Sequence, residues 1–139
     1  MAYCRSPDRR CKSSSCGDTR PLSSEHARLL RGLAAYHRRN PHAPSVAVGD
    51  MSLRHGGEID HHSTHENGRQ IDLYFPRRDR KLREPHTIAQ VDLRLSRELV
   101  RAILAAGACR VLIGSHIRVP TSGRVIAWPH HDDHLHAMF

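Results

Sequence analysis

The segment QIDLYF, at residues 70–75, alternates between polar and apolar side chains. Such alternation is typical of a β-strand with one face against a core, because successive side chains of a strand point to opposite faces. The three apolar residues are therefore expected to enter the core, whereas Asp72 and Tyr74 should lie on the other face. This strand lies near the middle of the sequence and is called the central strand below; its polar face carries a carboxylate.

Two amphipathic segments, one on each side of this strand in the sequence, are predicted to be helices. The first extends from about Ser24 to Arg39, since apolar residues recur at helical spacing and Pro41 prevents continuation. The second is predicted over Thr87–Gly107, where the final glycine is a typical stop signal. Its apolar stripe consists of Ile88, Val91, Leu95, Leu99, Ile103 and Leu104.

Four further segments have the length and apolar content of short strands. The segment from Ser45 to Ser52 is expected to be a buried strand that runs into a loop. The other three segments are Arg110–Ser115, Arg124–Trp128 and His134–Phe139. Two helices with several short strands predict an α+β domain with a small, mostly antiparallel sheet.

The chain has 139 residues, which fits one domain. Residues 1–24 are rich in Ser, Arg, Cys and Pro and are expected to be an irregular basic arm, so that the folded domain covers residues 25–139. The cysteines include no C-x2-C pair, which argues against a structural zinc finger. Whether the N-terminal cysteines are paired stays open. The cysteines lie at Cys4, Cys11, Cys16 and Cys109.

The formal net charge of +8 predicts an acidic partner or substrate. Nucleic acid, an anionic membrane surface and an anionic cell-wall polymer all meet that description. No segment has the length of a transmembrane helix, so none is expected. The first ten residues lack the apolar core of a secretory signal peptide, so no export signal is visible.

The thirteen histidines are the most informative part of the composition, because histidine is a common metal ligand. Eight of them fall in two clusters. The first cluster holds His55, His61, His62 and His65, and the second holds His130, His131, His134 and His136. In a terminal strand, residues two apart share a face, so His134 and His136 should point the same way with Leu135 buried behind them.

A metal site is predicted where the first cluster meets the central strand. The pair Asn67-Gly68 favours a turn that would let His65 and Asp72 converge. Together with His136 they form a set of two imidazoles and one carboxylate. That set suits a catalytic zinc ion, which keeps one position open for water.

Zinc lowers the pKa of its water to about 7, so hydroxide becomes available for attack on an amide carbonyl at neutral pH. An imidazole beside the metal can take or give a proton, or stabilise an oxyanion. His134 is the first candidate for this role because it shares the face of His136, and His131 is the second.

The paired motifs S-x-H-x6-D and H-x-H resemble those of LAS-type zinc metallopeptidases, which include D-alanyl-D-alanine peptidases and lysostaphin-type endopeptidases. The closer resemblance is to the penicillin-insensitive murein endopeptidases. It runs from about His26 to the C-terminus through the segments VGDMS, HHSTHENGRQIDLYFPRRD, VDLRLSRELV and HHDDHLH. The resemblance implies a hedgehog/D,D-peptidase-like fold and hydrolysis of D-alanyl-meso-diaminopimelyl cross-links in peptidoglycan. That substrate in turn implies a periplasmic or extracellular location.

The resemblance also implies roles for individual residues. His65, Asp72 and His136 match the zinc ligands of the family, and His62 matches a position that some members also use. His134 resembles the catalytic histidine. A further active-site histidine is matched by His131.

Two other classes of function compete with the endopeptidase. A D,D-carboxypeptidase or dipeptidase on the same scaffold would differ only in how the ends of the cleft are closed. A basic protein that binds nucleic acid, or the cell wall without cutting it, would account for the charge but not for the histidine spacing. We therefore expect no nucleic-acid partner.

Several other side chains have more ordinary expected roles. Trp128 is expected to be a large ring within the core, with a place in a substrate groove as the alternative, and His116 is expected to be solvated. Asp132 and Asp133 are expected to be exposed turn carboxylates, with orientation of a histidine as the alternative. The segment that follows the central strand is expected to be a solvated charged loop. It contains Arg77, Arg78, Arg80 and Lys81.

Overall fold

The computed structural model describes residues 22–51, 69–120 and 123–139, with side chains from residue 27 onward. Within these ranges the chain forms two α-helices and one five-stranded sheet, which confirms the predicted α+β class. The helices are α1 (Leu22–Arg39) and α2 (Leu93–Ala105). The strands are β1 (Val48–Met51), β2 (Gln70–Tyr74), β3 (Arg110–Ile113), β4 (Val125–Ala127) and β5 (His134–Met138).

The strand order in the sheet is β1-β2-β5-β3-β4. Three neighbouring pairs are antiparallel and the pair β3–β4 is parallel, so the sheet is mixed but mostly antiparallel, as predicted. The C-terminal strand β5 lies in the middle, between β2 and β3. Its register with β2 places His136 opposite Asp72 and His134 opposite Tyr74. Asp72 of the first motif and the H-x-H motif therefore lie on neighbouring strands.

One face of the sheet packs against the two helices and forms the main core. Leu73 and Leu135 lie on this face and are fully buried, as the alternating pattern predicts. The helices approach each other closely at Gly32, where a Cβ atom would lie 3.0 Å from the Cβ of Ala106. The opposite face carries the polar residues of β2 and β5 beside a smaller apolar cluster of Cys109, Leu112, Ile126 and Met138.

The start of α2 differs from the prediction, which placed it at Thr87. Residues Ile88–Gln90 form a 3-10 turn, and Val91 is extended and bridges to Arg77 of the preceding loop. The α-helix begins only after Asp92, whose side chain accepts a hydrogen bond from the backbone N–H of Leu95 at 3.0 Å. The predicted start was wrong because a capping aspartate and a tertiary bridge overrode the helical spacing.

Replacing Asp92 by alanine should lower the free energy of unfolding by about 1 kcal/mol, because the first turn of α2 loses its side-chain acceptor. Urea denaturation followed by circular dichroism measures this change. Glu98→Ala is the matched control, since it removes a carboxylate from the interior of the same helix, where alanine is favourable. Equal losses in both variants would contradict the capping role.

The prediction of a buried strand over residues 45–52 was wrong. Among the described residues, the strand β1 is shorter, lies at the edge of the sheet and pairs with β2. Its residues Val48 and Met51 are 47% and 38% exposed. An apolar run of this length does not distinguish an edge strand from a central one, because burial depends on which strands lie beside it.

The loop after β2 was expected to be solvated, and this is wrong for Arg77, which is buried. Its guanidinium donates hydrogen bonds to Asp79 and to the side chain of Gln90 at 2.8 Å, and to the carbonyl of Glu84 at 3.1 Å. The hydrogen bond from Arg77 holds the pKa of the Asp79 carboxyl well below its usual value. Arg77 thus ties the loop to the 3-10 turn. The expectation is confirmed for the exposed residues Arg78, Arg80 and Lys81.

The expected arm at residues 1–24 lies outside the described residues except for its end, where α1 already begins at Leu22. Cys109, at the start of β3, is disulfide-bonded. The other three cysteines, Cys4, Cys11 and Cys16, lie outside the described residues. In the described ranges neither helix is long and apolar enough to cross a membrane.

Candidate metal and catalytic site

Asp72 of the first motif and the H-x-H motif lie next to each other on the polar face of the sheet. Asp72 and Tyr74 project from β2, and His134 and His136 project from β5 on the same face. The antiparallel register makes Asp72 and His136 direct neighbours, and likewise Tyr74 and His134. Asp72 and the H-x-H motif are therefore adjacent, whereas their role in a metal site stays a prediction.

Asp72 and His136 form a buried pair at the centre of this face. The Nδ1 atom of His136 lies 2.8 Å from Oδ1 of Asp72, and its Nε2 atom lies 3.1 Å from Oε1 of Gln70. Asp72 is 6% exposed and His136 is 3% exposed. A carboxylate is rarely buried so deeply unless it is paired or binds a metal. The pair is thus fixed in place by neighbouring strands.

The separation of the two donor atoms can be compared with the requirements of zinc. Zinc binds nitrogen and oxygen ligands at about 2.0–2.1 Å, which puts adjacent ligand atoms of a tetrahedral site about 3.3 Å apart. The 2.8 Å between Nδ1 of His136 and Oδ1 of Asp72 is slightly shorter. A small side-chain movement would open the pair to a cation, so the two residues fit two positions of a zinc site.

The other proposed ligands, His65 and His62, lie outside the described residues. Within ranges 22–51, 69–120 and 123–139, no group of three His, Cys, Asp or Glu side chains is arranged to hold a metal ion. The described part of the chain therefore supplies two of the predicted ligands, Asp72 and His136.

His134 lies beside this pair and faces it. Its Nε2 atom is 3.9 Å from Oδ1 of Asp72, and its Nδ1 atom is 2.6 Å from Oδ1 of Asp133. The imidazole is 18% exposed and packs edge-to-face against the ring of Tyr74. The placement of His134 next to the proposed metal ligands, with its Nε2 atom directed at them, agrees with its expected role.

His131 completes a cluster of three imidazoles. Its ring centroid is 4.7 Å from that of His134 and 6.1 Å from that of His136. Burial, and secondarily the neighbouring His134 and His136, lower the pKa of His131. Its Nδ1 donates to the carbonyl oxygen of Pro129 at 2.7 Å, so the neutral ring has its lone pair on Nε2. His131 is therefore an uncharged proton acceptor at neutral pH.

Tyr74 contributes a hydroxyl to the same face. Burial and a hydrogen bond with nearby Glu84 raise the pKa of Tyr74 to about 12. The phenol therefore stays protonated at neutral pH. It is a site residue that the alternating pattern placed on the correct face without identifying a role for it.

The turn that carries His131 packs tightly against the end of β3. At Gly114, a Cβ atom would lie 2.6 Å from both the Asp132 carboxylate and the His131 carbonyl oxygen, so only glycine fits without displacement. The neighbouring His116 was expected to be solvated, but its side chain is only 14% exposed and lies 3.2 Å from Asp132. A 3-10 turn over Ser115–Ile117 folds it inward, which no local sequence pattern predicts.

A cavity of about 480 Å³ lies next to this turn. Asp133, which contacts His134, forms part of its wall, whereas Asp72, His131, His134 and His136 are not among its lining residues. The other lining residues are Glu84, Pro85, His86, Thr87, Ile88, His130 and Asp132.

Trp128 was expected in the core, but its side chain is 42% exposed.

Neither a protein-family model nor a curated protein sequence matches this chain. The resemblance to murein endopeptidases rests on the two motifs and their order. Function is therefore inferred from those motifs and from the geometry of the polar face.

Proposed function

We propose that the protein is a zinc-dependent murein endopeptidase that hydrolyses D-alanyl-meso-diaminopimelyl cross-links in peptidoglycan outside the cytoplasmic membrane. The observation that carries the proposal is the buried Asp72–His136 pair, with a 2.8 Å contact, next to the imidazoles of His134 and His131. A structural hydrogen bond alone would not require two further histidines packed around it. Helices on one face of a mostly antiparallel sheet, with polar residues of β2 and β5 on the opposite face, are compatible with the implied peptidase fold.

In this proposal His65, Asp72 and His136 hold the zinc ion, with His62 as an additional ligand position. Two nitrogen donors and one oxygen donor match the ligand preference of catalytic zinc and leave one position for the reaction. When bound, zinc supplies a Lewis acid that lowers the pKa of water and polarises the scissile carbonyl group.

The remaining chemistry belongs to side chains of the polar face. Nε2 of His134 accepts a proton from the attacking water and returns it to the amine that leaves when the C–N bond breaks. His131, neutral at neutral pH, lies 4.7 Å from His134 between ring centroids and provides a second proton acceptor. The scheme has no serine nucleophile, so β-lactams would have no residue to acylate.

The charge of the chain supports an anionic polymer as the substrate. The net charge is +8, and the loop between β2 and α2 exposes several of the cations. Peptidoglycan carries carboxylates along its peptides, so such a surface raises the local substrate concentration. The exposed cations of this loop are Arg78, Arg80, Lys81 and Arg83.

Product analysis of purified cross-linked muropeptides tests the proposed reaction. Zinc-loaded protein should convert dimers to monomers, and a chelator should stop the conversion until zinc is added back. Release of terminal D-alanine from monomeric pentapeptides, with dimers left intact, would instead identify a D,D-carboxypeptidase. Intact dimers and pentapeptides in the presence of zinc-loaded protein would refute both enzymes and favour a wall-binding protein.

A further inference from the structure

Asp133 and His134, adjacent in the chain, form a carboxylate–imidazole pair at the edge of the candidate site. Nδ1 of His134 donates to Oδ1 of Asp133 at 2.6 Å, which is in the range of a charge-assisted hydrogen bond. The opposite ring nitrogen, Nε2, faces Asp72 at 3.9 Å. The two nitrogens of His134 therefore have different surroundings, a carboxylate outside the site on one side and the proposed metal ligands on the other.

The backbone of this pair is held by β2 and its extension. The carbonyl oxygen of Asp133 accepts the N–H of Phe75 at 2.9 Å, and Phe75 is 1% exposed. His134 lies opposite Tyr74 in the sheet register. Asp133 is thus anchored at the start of β5, and its carboxylate reaches His134 from a fixed position.

The surroundings of the His134 ring also restrict its rotation. The ring of Tyr74 packs edge-to-face on it at 6.2 Å between centroids, and the ring of His131 lies at 4.7 Å. Only 18% of the His134 side chain is exposed, against 39% of Asp133. An ion pair between two freely solvated side chains would have no such directional consequence.

A neutral imidazole carries one N–H, and the partner of one nitrogen decides which nitrogen keeps the lone pair. With Nδ1–H engaged by Asp133, the lone pair is on Nε2, the atom that faces Asp72. We propose that Asp133 is a positioning residue that fixes the tautomer and the direction of His134, so that Nε2 is the proton acceptor of the reaction. The catalytic part of this inference rests on the proposed function, whereas the tautomer does not.

Two measurements on zinc-loaded protein test the proposal. The first is ¹⁵N NMR of the imidazole nitrogens at a pH where His134 is neutral. The wild-type ring should be protonated at Nδ1 and unprotonated at Nε2, and Asp133→Ala should shift the population toward Nε2–H, the form that predominates in free histidine. The second is steady-state kinetics on muropeptide dimers.

In the kinetic measurement, Asp133→Ala should lower kcat about 100-fold, at the low end for a positioned acid–base group, with KM and zinc content unchanged. Glu98→Gln is the control, since it removes one carboxylate from an exposed pair with Arg101 on α2 and should keep wild-type kinetics. If Asp133 had only a structural role, Asp133→Ala would leave the tautomer of His134 unchanged.

Three results would overturn the proposal. The first is a wild-type His134 protonated at Nε2, and the second is a kcat of Asp133→Ala within twofold of the wild type. The third is a loss of bound zinc from Asp133→Ala in proportion to its loss of hydrolysis. If the wild-type protein fails to cut muropeptides, the proposed function is refuted, and the NMR measurement on the wild type still decides the role of Asp133.

Discussion

Replacing His136 by alanine is expected to abolish zinc binding and hydrolysis together. His136 is 3% exposed and its Nδ1 atom contacts the Asp72 carboxylate at 2.8 Å, so the substitution removes one proposed ligand and displaces the partner of another. Loss of a residue that only supports a ligand already costs 10- to 100-fold in metal affinity, so loss of the ligand itself should cost at least about 100-fold.

The effect can be measured as a zinc-dependent rise in melting temperature. Free zinc at about 100 times its Kd should stabilise the wild type by about 2.7 kcal/mol, or roughly 10 °C for a domain of this size. His136→Ala should show no such rise. His42→Ala, which removes an exposed histidine, should keep the full rise. A zinc-dependent rise of wild-type size in His136→Ala would exclude His136 as a ligand.

Replacing His134 by alanine is expected to leave zinc bound and to remove turnover. His134 faces Asp72 at 3.9 Å through Nε2, and its Nδ1 is engaged by Asp133 at 2.6 Å. Loss of a general acid–base group should lower kcat by about 10²- to 10⁴-fold. Because His134 is not a proposed ligand, its substitution should not change the zinc content.

Metal analysis of the purified variant and turnover of muropeptide dimers measure the two quantities separately. His42→Ala is a suitable control, since it removes an exposed histidine that does not line this cavity. Equal zinc loss in His134→Ala and His136→Ala would show that the roles are assigned incorrectly. Unchanged turnover in His134→Ala would show that another group transfers the proton.

The polar face of the site was predictable because strand alternation is a local property. QIDLYF alternates strictly, and H-L-H repeats the same period, so the faces of Asp72, His134 and His136 follow from the sequence alone. The pairing of β2 with β5 could not be predicted from the sequence. That pairing brings residues 72 and 136 together across 64 positions, and the structure supplies it.

The wrong predictions concern residues whose structure depends on tertiary contacts. Val91 has helical spacing in the sequence but bridges to Arg77, which delays the start of α2. Arg77 is charged but buried, because Asp79, Gln90 and a backbone carbonyl satisfy its guanidinium. Val91 and Gln90 lie more than ten residues from Arg77 in the sequence. Composition and periodicity describe shorter stretches, so they predicted neither the later start of α2 nor the burial of Arg77.

The supporting residues of the site were also harder to predict than its centre. Asp133 was expected to be an exposed turn carboxylate, with histidine orientation as the alternative, and the 2.6 Å contact with His134 favours the alternative. Gly114 had no signal at all, because its role is the close approach of the His131 turn. The roles of His65 and His62 stay predictions, since both lie outside the described residues.

The central claim is that Asp72 and His136 share one zinc ion with His65. Anomalous diffraction at the zinc edge, from crystals of zinc-loaded protein, tests it most directly. We expect a single strong peak about 2.0–2.2 Å from Nδ1 of His136 and from a carboxylate oxygen of Asp72, with the His65 imidazole as a third ligand. A peak at other side chains, or a fully ordered site in which His65 lies far from the intact Asp72–His136 pair, would contradict it.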